Sequence, residues 1–206
     1  MTMHEVDWSQ VRVENRTELL RLLPAGGVVA EVGVFRGDFS HRILEIARPR
    51  KLHLIDPWVH QEIPLWEKRD DEFHLDCARN VQSRFADAIR QRRVVMHHGF
   101  SVDLLPLFPE GYFDWVYLDG DHRYPAVREE LEICRTRVKP RGLVCGHDYI
   151  KPELYPEETR PRLGVVPAVR DFCEAWGWEL VFQTPDQPRG SKQCPSFVLR
   201  EKRVGP

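Results

Sequence analysis

AEVGVFRGDFSHRIL, residues 30–44, begins as an apolar strand, breaks at a glycine-bearing turn and resumes with helical spacing. A buried strand that turns directly into a helix opens a nucleotide-binding crossover of the α/β type. The turn reads Glu31-x-Gly33-x-x-x-Gly37, which is neither the GxGxxG of a dinucleotide site nor a phosphate loop ending in GK[ST]. Asp38 or Ser40 is expected to cap the helix. An aspartate there would occupy the helix amides and repel a pyrophosphate. Glu31, at the strand end, favours a cation. The turn is suited to a ligand that is not anionic at this point.

Outward from this turn, strands and helices alternate. VVAEVGV, KLHLID, RVVMHHG, FDWVYLDG and GLVCGHDY read as five buried strands, each rich in Val, Ile, Leu or aromatics and running into a Gly or Asp stop. Helical spacing is expected over 39–47, about 70–90, 101–105, 124–137 and VVPAVRDFCEAW. WELVFQT and SFVLRE are two further strands. Their connection is too short for a helical crossover, so they should pair antiparallel as a hairpin at the sheet edge. The expected fold is α/β, a Rossmann-like, seven-stranded, mostly parallel sheet with helices on both faces and an antiparallel C-terminal hairpin. One domain spans 1–206, with an N-terminal helix at about 9–23. Two long connections after strand ends, 57–72 and 150–164, read as lids over a ligand edge.

Composition narrows the function classes. With 30 basic and 32 acidic residues in 206, and no block of one sign, nucleic acid is excluded as the expected partner. No apolar run approaches the roughly 20 residues of a membrane span. The first residues carry acids and no apolar core, so a secretion signal is not expected either. The five cysteines, Cys77, Cys134, Cys145, Cys173 and Cys194, show no CxxC spacing and read as reduced thiols of a cytoplasmic protein.

EVGVFRGDFS resembles the first motif of class I S-adenosylmethionine-dependent methyltransferases, whose cofactor carries an ammonium and a sulfonium but no phosphate. The resemblance implies an acid at the end of the second strand for the ribose hydroxyls, and LHLID supplies Asp56. HHGFS, ending the third strand, is similar to the adenine-side segment. The cofactor set implied is Glu31, Gly33, Gly37, Ser40, Asp56, Pro57, Trp58, Gly99, Phe100, Ser101 and Asp119.

FDWVYLDGDHRYPAVREELE followed by GLVCGHDY resembles the small metal-dependent O-methyltransferases, a group that includes the macrocin-type sugar enzymes and, more distantly, the catechol and caffeoyl-CoA enzymes. By position, the resemblance implies Asp119, His147 and Asp148 as ligands of a divalent metal, Mg²⁺ or Mn²⁺, and Asp121 as general base. His147 stands where well-marked members carry Asp or Glu, which moves the donor set toward transition metals. It leaves open that His147 is a base or a substrate contact, or that no metal binds and His122 or His147 takes the proton. A cation would lower the pKa of an acceptor hydroxyl while a carboxylate accepts its proton. The expected partner is a small-molecule acceptor, and a homo-oligomer is open because many relatives form dimers or rings.

Other readings of the same residues stand beside these. Asp119 and Asp121 could cap the helix near Tyr124. His53 reads as a core histidine. Adjacent His97 and His98 face opposite ways on a strand, one inward and one outward. Trp176 and Trp178 read as packing. Trp58, Trp66, Tyr149 and Tyr155 could be substrate wall or lid packing. Alternative functions are a metal-independent N- or C-methyltransferase, a catalytically silent cofactor-binding module and, disfavoured by the turn, an NAD-dependent oxidoreductase.

Overall fold

A computed structural model describes residues 6–60, 70–151, 153, 157, 163–185 and 194–202. Most of both expected lids, with Trp66 and Tyr155, lies outside the described residues.

Seven strands form one sheet: β1 (Val28–Val32), β2 (Lys51–Asp56), β3 (Val94–His98), β4 (Phe113–Leu118), β5 (Val138–Gly146), β6 (Trp178–Gln183) and β7 (Phe197–Glu201). Their order is β3-β2-β1-β4-β5-β7-β6. β1 to β5 are parallel, and β7 runs antiparallel to both β5 and β6. The C-terminal pair is therefore a hairpin as expected, with β7 lying between β5 and β6 and β6 at the edge. The strand order reverses between β1 and β4, which opens a crevice at their carboxyl ends.

Strand alternation divides the core. Val28, Ala30 and Val32 of β1 join the cluster containing Val127, Leu131, Val169 and Phe172. These four belong to the helices α6 (Tyr124–Arg137) and α7 (Val165–Trp176). On the other face, Val29, Trp115 and Tyr117 meet Leu19, Phe39, Ile43, Cys77 and Val81. Those come from α1 (Arg16–Leu19), α2 (Asp38–Ile46) and α3 (Asp71–Arg84). Burial on both faces explains why the strands read as continuous apolar runs.

Three local expectations are corrected. The N-terminal helix expected at about 9–23 reduces to a 3₁₀ turn at Trp8–Gln10 and the short α1. The extended Asn15 accepts from the N–H groups of Thr17 and Glu18, so the helix starts only there. The helix expected at 70–90 is broken at Phe85 into α3 and α4 (Ala86–Arg90). Neither Asp38 nor Ser40 caps α2: its N-cap is Gly37 at φ 74°, with no side-chain cap bond. Asp38 instead reaches Arg84 at 2.6 Å.

The packing readings fare well. His53 is buried, with its ring nitrogens 2.8 Å from His97 and 3.2 Å from the Tyr112 hydroxyl. His98 is exposed. Trp178 is buried, but the packing reading is corrected for Trp176, which is exposed and covered on one face by the Arg135 guanidinium, 3.7 Å from the ring centroid. Among the described residues no helix is long and apolar enough to cross a membrane.

Candidate active site

The hydrogen-bond ladder continues one step past three strand ends. Gly33 N–H donates to Ile55 O at 2.9 Å, Asp119 N–H to Val32 O at 2.7 Å and His147 N–H to Leu118 O at 2.9 Å. These bonds set Gly33, Asp119 and His147 in a row across the tips of β1, β4 and β5. Above them opens a cleft of about 1150 Å³.

The cleft receives most of the residues singled out in the sequence. Glu31, Gly33, Asp56, Pro57, Phe100, Ser101, Asp119, Asp121, His122, His147 and Asp148 line it. Gly37, Ser40, Trp58 and Gly99 are not among its lining residues. Trp58 is buried, and its indole N–H donates to Phe35 O at 3.0 Å, so it packs beneath the loop. Tyr149 is packing too, buried against Phe197.

Asp56 organises the first turn. Its Oδ2 accepts from the N–H groups of Val34 and Phe35, each at 2.8 Å, and its Oδ1 from Trp58 N–H at 2.7 Å. Phe35 and Trp58 both lie at positive φ, 52° and 40°, conformations that this anchored carboxylate holds in place. Neither glycine position has room for a side chain. A Cβ on Gly33 would meet Asp119 O at 2.1 Å, and one on Gly37 would meet the Phe85 ring at 2.9 Å.

Glu31 is 1% exposed, and the Ser40 hydroxyl donates to its Oε2. Burial pushes its pKa up to about 8, against that hydrogen bond. A buried carboxyl on a cleft wall, with no cation bonded to it among the described residues, suits an incoming ammonium. Because the folded-state value lies above the ordinary 4.5, folding favours the neutral form, and stability falls as pH rises from about 4.5 to about 8. Glu31→Gln is therefore expected to be more stable than wild type at pH 8, on the order of 2–4 kcal/mol, with the gap closing near pH 5. It should also bind S-adenosylhomocysteine more weakly. Urea titrations at the two pH values, with calorimetric binding, check both.

Four side chains converge at the tips of β4 and β5. His122 Nε2 lies 2.8 Å from Asp148 Oδ2, and His147 Nδ1 lies 3.2 Å from the same oxygen and 3.4 Å from Asp119 Oδ1. Successive side chains diverge on a strand, but Asp148 has φ 52°, and this left-handed residue turns its carboxylate back toward His147. Although burial alone would lower it, the pKa of His147 is raised to about 9 by hydrogen bonds to Asp119 and Asp148 and by their charge. Hydrogen bonds from His122 and His147 hold Asp148 far below the usual carboxylate range, overcoming the opposing effect of burial.

Asp121 stands apart from this cluster. Its carboxylate accepts from Arg123 N–H at 2.9 Å and from Arg123 Nε at 2.8 Å, and Arg123 Nη2 lies 2.5 Å away. Burial would raise its pKa, but Arg123 holds it below the ordinary value. Asp121 thus orders the turn before α6, whose N-cap is Arg123, and Asp119 makes no cap. A residue missed in the sequence is Arg16, which donates to Asp119 Oδ2 at 2.6 Å and lies 4.4 Å over the Phe39 ring. No spacing signal distinguishes it within its helix.

Residues 30–149 match the family described as a methyltransferase domain. The chain belongs to that family. No curated protein matches the sequence significantly. Among solved structures, this methyltransferase is similar to the O-methyltransferase TomG of Streptomyces achromogenes, involved in tomaymycin synthesis and solved in complex with S-adenosylmethionine. The identity is 24%, with 89% of this chain and 75% of that one covered and a TM-score of 0.59. The N-methyltransferase NodS of Bradyrhizobium japonicum gives 14%, 91%, 94% and 0.62 in the same order. The B. subtilis m1A22 tRNA methyltransferase TrmK gives 10%, 94%, 68% and 0.60. Family and fold together make the methyltransferase a class I enzyme dependent on S-adenosylmethionine.

Proposed function

We propose that the methyltransferase methylates a hydroxyl of a small molecule, assisted by a divalent cation. The observation that carries this reading is the convergence of Asp119, His122, His147 and Asp148 at the end of the cleft opposite the adenine-side segment. S-adenosylmethionine, when bound, supplies a methyl group on a sulfonium. Glu31 takes its ammonium, and Asp56 holds the turn against its ribose. Nε2 of His147 would take the proton of the acceptor oxygen that receives the methyl, with S-adenosylhomocysteine as the leaving group. The resulting imidazolium donates from Nδ1–H to Asp119 and Asp148, which orient the ring. His147 is preferred to Asp121 as base because Arg123 already occupies both Asp121 oxygens.

The donor set fits a cation. Asp119, His122 and Asp148 each offer an atom within 4.8 Å of the others, although Arg16 already takes one oxygen of Asp119. A divalent ion held there supplies positive charge that lowers the acceptor's pKa. It also neutralises the carboxylates that otherwise keep His147 protonated. The imidazole in the set suits Mn²⁺ or Zn²⁺ better than Mg²⁺. TomG, an O-methyltransferase by description, supports the choice of oxygen as acceptor atom.

The test is formation of S-adenosylhomocysteine from a panel of phenols, catechols, sugars and amines, before and after chelation. Turnover of hydroxylated acceptors should fall at least about tenfold on chelation and return with Mn²⁺. Turnover of amines alone would replace this reading with nitrogen methylation. Turnover indifferent to chelators would remove the cation, and His147 would then serve as base only where it is deprotonated, with turnover rising toward pH 9.

A further inference from the structure

Beneath the histidine–carboxylate cluster lies a buried set of hydroxyls that the reaction above does not use. Tyr117, on β4 two residues before Asp119, is 0% exposed, and so is Ser196, the residue before β7. Their hydroxyl oxygens lie 2.8 Å apart. Burial holds the phenol's pKa well above its ordinary value, so this hydroxyl keeps its proton. Ser196 is also fixed from the side of β6. Its N–H donates to Thr184 Oγ1 at 2.8 Å, and its carbonyl accepts from Thr184 N–H at 2.9 Å. Buried hydroxyls persist in an apolar sheet face only while they are bonded.

These bonds lead to Asp148. The carbonyl of Pro195, next to Ser196, accepts from Tyr149 N–H at 3.0 Å, and Asp148 O accepts from Ile150 N–H at 2.7 Å. Together with the His147 N–H bond to Leu118 O, they clamp the backbone on both sides of Asp148. They hold it at φ 52°, where its carboxylate reaches His122 and His147. A residue with a side chain stays in that region only where its surroundings fix it. Pro195 has no N–H of its own to join the ladder, so the place of its carbonyl depends on Ser196. The Tyr117 ring has a separate task. It packs on Phe39, 4.6 Å between centroids, and Phe39 carries the Arg16 guanidinium that pairs with Asp119. Hydroxyl and ring can therefore be tested apart.

We propose that Tyr117 and Ser196 are positioning residues for methyl transfer: their buried bond fixes the Pro195 carbonyl, and through it the left-handed turn that aims Asp148 at the two histidines. The inference rests on the reading of that cluster as the place where the acceptor loses its proton. A displacement of about 1 Å at such a place can cost about a hundredfold in rate. Glu31 and Asp56, on β1 and β2, lie outside the chain of bonds, so cofactor affinity should not follow.

The experiment compares steady-state methyl transfer by the full chain as wild type, Tyr117→Phe, Ser196→Ala and the double variant. The acceptor is whichever member of the panel above wild type turns over fastest. Each single variant is expected to lower kcat at least about tenfold, with acceptor KM and S-adenosylhomocysteine affinity within about threefold of wild type. The double variant should match the slower single one within about threefold, because both changes remove the same bond. A smaller loss of kcat, even with a lowered denaturation midpoint, marks a merely structural bond and overturns the inference. So do losses that multiply in the double variant, or that fall on KM and cofactor affinity as much as on kcat. If one single variant does not fold, the other decides, since either removes the bond. Absence of wild-type turnover on every acceptor of the panel would overturn the proposed function itself, and this inference with it.

Discussion

Asp148→Asn is expected to lower methyl transfer by about 10²–10⁴-fold while S-adenosylhomocysteine affinity stays within about threefold of wild type. His122 and His147 both lean on this carboxylate, at 2.8 and 3.2 Å. An amide can satisfy one imidazole as acceptor but carries no charge to stabilise an imidazolium, and it is a poor metal ligand. Either way the acceptor hydroxyl loses its route to deprotonation. Asp121→Asn, by contrast, should cost less than about tenfold, because that carboxylate is engaged by Arg123 and is not the proposed base. Single-turnover rates with both variants decide between the two acids. A large loss at Asp121 with a small one at Asp148 would return the base to Asp121, where the family resemblance puts it.

Gly33→Val is expected to destabilise the fold by about 3–5 kcal/mol or to prevent folding, beyond any effect on ligand. Gly33 lies at φ 84°, and a Cβ would stand 2.1 Å from the carbonyl oxygen of Asp119. That oxygen belongs to backbone fixed by the Asp119 N–H bond to Val32, so it cannot retreat without opening the β1–β4 ladder. Denaturation midpoints should fall steeply, and ligand binding should fail as a consequence. A variant with unchanged stability that merely lost ligand would show that the clash is relieved locally.

The strands were legible because their burial on both faces leaves runs of Val, Leu and Ile that end at turn residues. Helix termini were less so. Asp38 has the composition of a cap, yet Gly37 turns the chain and leaves Asp38 to Arg84, a partner 46 residues away. The site divides in the same manner. Asp119, His147 and Asp148 were visible because each directly follows a readable strand. Asp121 was visible as a base candidate, but its pairing with Arg123 is not visible until the turn is built. Glu130, a buried acid that lines the cleft, left a signal that could have been used: an acid on the apolar face of α6, between Val127 and Leu131, has to be buried. Arg16 left none, since its pairing with Asp119 spans 103 positions.

β7 lies between β5 and β6, although it follows both in the chain. On a ribosome, β6 therefore emerges with no neighbour to receive it. The exposed edge of β5 must wait until residues 197–201 clear the exit tunnel, and only then can the last two strands zip on together. That waiting edge ends at Gly146, one residue before His147, so the sheet closes immediately beside the histidine–carboxylate cluster. Any delay in docking residues 197–201 leaves that strand edge open to other chains.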